Sequence, residues 1–124
     1  MNLNAQIFRL LAVLALAPAA AFCAASSLGR SIPLNRLVTP NHDGKNDYFV
    51  FRCYNPRDAA IEAKIYDMAG REVAKMELMA GDHSDFYYDY RWDPNAGSKK
   101  PGGVYLYQVR LETAVYKGTV AVIR

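Results

Sequence analysis

The chain has 124 residues, with fifteen Lys and Arg against twelve Asp and Glu and a formal net charge of +3. Charges of both signs are interspersed along it, which excludes the single-sign stripe of a nucleic-acid or membrane-surface binder. Two histidines leave a zinc site poorly supplied.

The first 25 residues read as a Sec-type signal peptide. A short polar start carries Arg9, the apolar run Leu10–Phe22 is too short to span a bilayer, and the small residues "CAASS" follow. Cleavage after Ala25 is favoured over cleavage after Ala21 or Cys23, and an uncleaved N-terminal anchor is the alternative. Phe22, a bulky residue just before Cys23, argues against lipidation. This reading exports the chain to the periplasm, the cell surface or the medium. Residues 26–124 are then one domain, holding all twelve acidic residues and every cation except Arg9. A chain of this size buries roughly two thirds of its unfolded surface, enough for a core.

Past the signal no helical period is sustained. Short β-rich runs recur between clusters of Gly, Pro, Asn and Asp, which predicts seven strands near 31–38, 47–54, 60–68, 71–79, 84–92, 103–112 and 115–123. Phe49, Phe51 and Cys53 share one face, with Tyr48, Val50, Arg52 and Tyr54 on the other; Cys53 is read as a buried small hydrophobe. If cleavage fell before Phe22, Cys23 would remain to pair with it. Ile61, Ala63 and Ile65 oppose Glu62 and Lys64. In "GVYLYQVRLE", Tyr105, Tyr107, Val109 and Leu111 form the inward set, and Gln108, Arg110 and Glu112 face solvent. "DMAGRE" places Gly70 where a short hairpin needs positive φ, and "NPRD" sets Pro56 second in a type I turn. The longest loop, "DPNAGSKKPGG", runs from Asp93 to Gly103.

Three stretches carry the residue types of a site. In "TPNHDGKND", Asn41, Asp43, Asn46 and Asp47 are oxygen donors of the kind that bind Ca²⁺. An EF-hand loop, however, needs Gly at its sixth position and a bidentate Glu at its twelfth. Counting from Asn41, Gly44 is fourth and Arg52 twelfth. The favoured reading is a structural turn with side-chain-to-backbone bonds from Asp43 or Asn41 and positive φ at Gly44, with no metal or other cofactor; a weak calcium loop is the alternative. "DHSD" at Asp82–Asp85 has the letters of a hydrolytic triad, but neighbours on a strand point to opposite faces, so His83 and Ser84 do not converge, and no catalytic residue is assigned. In "FYYDYRW", Phe86, Tyr88, Tyr90 and Trp92 share a parity. They read first as the core face of a sandwich and second as a platform for glycan.

Taken in order, "TPNHDGKNDYF", "IEAKIYDMAGREV", "RWD", "GGVYLYQVR" and "YKGTVAVIR" resemble the gliding-motility-associated, type B sorting domain of the type IX secretion pathway, whose opening is "TPNGDGxND". They are also similar to the Ig-like domain of the flagellar hook-cap scaffold protein. The resemblance covers about residues 32–124, with Pro40, Asp43, Gly44, Gly70, Trp92, Gly103 and Tyr105 at its marker positions. His42 and Pro94 stand where those families carry Gly. It implies an all-β, seven-stranded antiparallel β-sandwich of the Ig or fibronectin III kind. It also implies a non-enzymatic module for secretion sorting or envelope assembly, with other exported or envelope proteins as partners. The competing expectation is an adhesion module that binds glycan or uses the calcium loop.

Overall fold

The computed structural model describes residues 29–124, so the signal peptide, its cleavage zone and Cys23 lie outside the described residues. The described chain is a β-sandwich of nine strands: β1 (Ile32–Pro33), β2 (Leu37–Val38), β3 (Phe49–Tyr54), β4 (Ile61–Tyr66), β5 (Glu72–Lys75), β6 (Glu77–Leu78), β7 (Tyr87–Trp92), β8 (Gly103–Leu111) and β9 (Ala114–Val122). One sheet has the order β1-β3-β7-β6 and the other β2-β9-β8-β4-β5.

The count is nine, not seven, because two predicted strands each divide between the sheets. The run near 31–38 places β1 on β3, then crosses to place β2 on β9. Asn35 makes the crossing. Its Oδ1 accepts the Val50 N–H at 3.0 Å, and its Nδ2 donates to the carbonyls of Tyr48 at 2.8 Å and Leu37 at 3.2 Å. One side chain thus bonds β3 where the strand backbone has left it. The run near 71–79 divides in the same way. β5 pairs with β4, buried Met76 marks the passage, and β6 pairs with β7. The sandwich is also not wholly antiparallel: β2 runs parallel to β9, with Leu37 beside Ala121 and Val38 beside Val122.

The period-two pattern explains the core. Phe49, Phe51 and Cys53 are buried from one sheet, and Ala63, Ile65, Tyr105, Tyr107, Val109, Val120 and Val122 from the other. The Tyr107 ring lies 5.0 Å from Phe49 and 5.5 Å from Phe51. It also rests on Gly118, where an added Cβ would sit 2.5 Å from its hydroxyl. Burial pushes the Cys53 thiol up to about 12, with Asp89 adding to the shift. Phe86 does not join the aromatic face predicted for it. It precedes β7 in a turn closed by its N–H on the His83 carbonyl, has φ of 65°, and is 48% exposed.

Candidate functional site

Strand register gathers the marker residues at one end of the sandwich. β3 begins and β7 ends there, with Phe49 opposite Trp92. β8 begins and β9 ends there too, with Gly103 opposite Val122. The loop before β3, the β4–β5 turn, the loop after β7 and the C-terminus therefore share this pole. Pro40, Asp43, Gly44, Gly70, Trp92, Gly103 and Tyr105 all lie in or beside it.

Local chemistry builds each loop. Asp47 accepts the His42 N–H at Oδ1 and the Gly44 N–H at Oδ2, both at 2.9 Å. Asn41 accepts the Asp43 N–H at 3.2 Å, and Asp43 accepts the Lys45 N–H at 2.8 Å. Gly44 has φ of 82°, a conformation that a residue with a Cβ rarely adopts. Asn46 also has positive φ, and its carbonyl accepts the Thr39 N–H at 2.8 Å. In the β4–β5 turn, Asp67 Oδ1 accepts the N–H groups of Ala69 and Arg71, and Oδ2 accepts Arg71 Nε at 3.0 Å. The Arg71 backbone bond, followed by its guanidinium, holds the Asp67 carboxyl below its usual range. In the long loop, Asp93 accepts the Asn95 N–H at 2.8 Å.

The loops are then fastened to one another. Asn95 Nδ2 donates to the carbonyl of buried Pro40 at 3.1 Å, joining the first loop to the last. Trp92, 3% exposed, meets Tyr105 edge-on at 5.1 Å. The Tyr105 hydroxyl donates to the Pro101 carbonyl at 2.7 Å, and burial pushes its pKa upward. Arg124 donates through Nε to the Lys100 carbonyl at 2.7 Å, which closes the loop onto the end of the chain. Sequence reasoning missed Asn95 and Arg124. The turn-forming "DPNAG" signals Asn95 locally, but nothing in the local sequence signals the partner of Arg124.

Chemically, most side-chain acceptors of the pole are already in use, while the buried Oδ1 of Asn95 has no partner among the described residues. Asn41, Asp43, Asp47, Asp67 and Asp93 all face backbone donors. Among the described residues, no cluster of three or more His, Cys, Asp or Glu side chains could hold a metal ion. At the opposite pole, His83 and Ser84 are not brought together. The His83 ring stacks on Tyr88 at 4.3 Å with Nδ1 3.0 Å from the Tyr87 carbonyl, while Ser84 Oγ donates to Asp82 at 3.2 Å. Of the aromatic stripe, Trp92 is buried, and Tyr88 and Tyr90 are half-buried against the core.

Residues 32–122 match the family model described as the CHU_C type IX secretion signal domain. The match runs from the start of β1 to the end of β9 and covers well over half of the chain. No curated protein matches the sequence. The chain belongs to the family of type IX secretion signal domains, a family of exported proteins defined by sorting and not by a catalytic activity.

Proposed function

We propose that this member of the type IX secretion signal family is a non-enzymatic export label, read as a folded sandwich by envelope proteins and delivered to the cell surface or the medium. The observation that carries this reading is the extent of the match, which spans a complete sandwich and not a short tail. A label of that kind is recognised through its surface shape and unpaired groups. The engaged state of the pole carboxylates supports it, because they already serve the backbone. So does the packing of the aromatic stripe. Tyr88 is stacked by His83 and donates its hydroxyl to Asp58 at 3.3 Å, which leaves it poorly placed as a platform for sugar.

The test uses the full chain in a bacterium with an intact type IX pathway and in a strain whose translocon is deleted. Surface protease accessibility and the medium fraction are measured with an antibody. The expected result is surface or medium delivery in the first strain and periplasmic retention in the second. Identical distribution in both would overturn the reading.

A further inference from the structure

β9 is nine residues long and is paired with β8 from Ala114 to Val122. On its other side it is paired with β2 only at Ala121 and Val122. The N–H groups of Ala121 and Ile123 donate toward the β2 side, to the carbonyls of Arg36 and Val38. Backbone groups alternate in direction along a strand, so residues of the same parity point the same way. The N–H and C=O of Val115, Lys117 and Thr119 therefore point to the β2 side at a level before β2 begins, where no strand pairs with them. This is an unpaired edge roughly 14 Å long at about 3.4 Å per residue.

The other sheet edges are better protected. β1 and β6 are two residues each, and β5 is four, with charged Glu72 and Lys75 and a register shift near its head. Short or irregular edges resist strand addition, and the one charge on the β9 edge, Lys117, deters any segment that does not offer it a carboxylate. The exposed part of β9 is longer and regular, with Val115 41% exposed on its outer face.

Charge distinguishes between occupants. Register places Lys64, Gln108 and Lys117 in one row across the outer face. Lys64 is paired with Glu62 at 2.7 Å and with Glu72 at 3.6 Å, whereas Lys117 has no ion-pair partner among the described residues. A second copy meeting this edge about a two-fold axis at Lys117 would set Lys117 against Lys117, and like charges directly opposite are destabilising. A carboxylate at that place would be favourable.

We propose that the Val115–Thr119 edge of β9 accepts an extended segment of a partner protein as an added strand, with an Asp or Glu of that segment opposite Lys117. The inference rests on the sorting reading for its biological setting, but its physical claim stands separately. Main-chain bonds provide the attachment, and the carboxylate selects the segment.

The test uses the full chain, isotope-labelled for amide exchange, and a short peptide of alternating Thr and Val with a central Glu. At saturating peptide, exchange at Val115, Lys117 and Thr119 is expected to slow by at least about tenfold, with Tyr116 and Gly118 unchanged because they already bond β8. A peptide with Lys in place of the central Glu is expected to bind at least about fivefold more weakly. Lys117→Pro removes an outward N–H without breaking the β8 ladder, so it is expected to abolish binding while the melting temperature stays close to the parent's. Unchanged exchange at the three amides, or full binding by folded Lys117→Pro, would overturn the proposal. Equal binding of the Lys-centred peptide would overturn the carboxylate assignment. In the delivery assay, failure of the parent chain counts against the sorting reading alone. Delivery of Lys117→Pro equal to that of a delivered parent counts against the edge as the sorting contact.

Discussion

The loop pole and the β9 edge treat their polar groups in opposite ways. At the pole, three loops and the C-terminus are fastened by side chains that accept or donate to backbone, and Asp47 and Asp67 each serve two N–H groups. Along β9, three consecutive outward-facing positions meet no strand. The difference teaches that the most recognisable sequence here does structural work. The edge proposed for a partner lies in "AVYKGT", a stretch with no unusual composition.

The comparison predicts a gradient of mutational cost. The largest effect is expected from Trp92→Ala, which removes the ring that the pole packs around. It should cost roughly 3–5 kcal/mol by denaturant unfolding, a large fraction of a small domain's stability. Next, Asp47→Ala leaves the His42 and Gly44 N–H groups without their acceptor. A loss of about 1–2 kcal/mol, by analogy with removal of a helix cap, is expected in the same measurement, and it should be independent of added Ca²⁺. A chelator-reversible stabilisation of the parent by Ca²⁺ would instead make that loop a metal site.

Asp67 gives a pH signature of smaller size. Its folded pKa lies below the unfolded value of about 3.8, so its contribution is present above that pH and is lost as pH falls through the folded value. Melting temperature followed from pH 5 downward should therefore decline less steeply in Asp67→Asn than in the parent. The smallest effect is expected at the edge itself. Lys117→Ser should change stability by no more than about 0.5 kcal/mol, because no ion pair or core contact is removed. A large loss there would mean that the edge is engaged within the chain, and the contrast between the two regions would collapse.

Much of this was legible from pattern. Phe49, Phe51 and Cys53, and Tyr105, Tyr107, Val109 and Leu111, alternate cleanly because each long strand has one face on the core. The order of marker motifs carried the family resemblance. What could not be read were the sheet changes. β1, β2 and β6 are two residues each, too short to show a period, and each is placed by a distant partner: Phe51 and Arg52, Ala121 and Val122, or Tyr90 and Arg91. The parallel pairing of β2 was hidden for the same reason. The gathering of Gly44, Gly70 and Gly103 at one pole follows from topology, which spacing along the chain does not contain. Phe86 was misplaced because alternation was extended past a turn that begins at His83.

The buried thiol of Cys53 supplies a clock for export. With its pKa near 12 and its side chain enclosed, it offers almost no thiolate to an alkylating reagent while the sandwich is closed. The proton it retains favours the folded state up to about pH 9, and that advantage falls away as pH climbs toward 12. At neutral pH, alkylation of Cys53 thus counts openings of the sheet interface and little else. A brief pulse of a membrane-permeant reagent, compared with an impermeant one, would date the closing of the domain during its passage through the envelope. A chain labelled only by the permeant reagent, and only early in the chase, would have crossed the outer layers already shut.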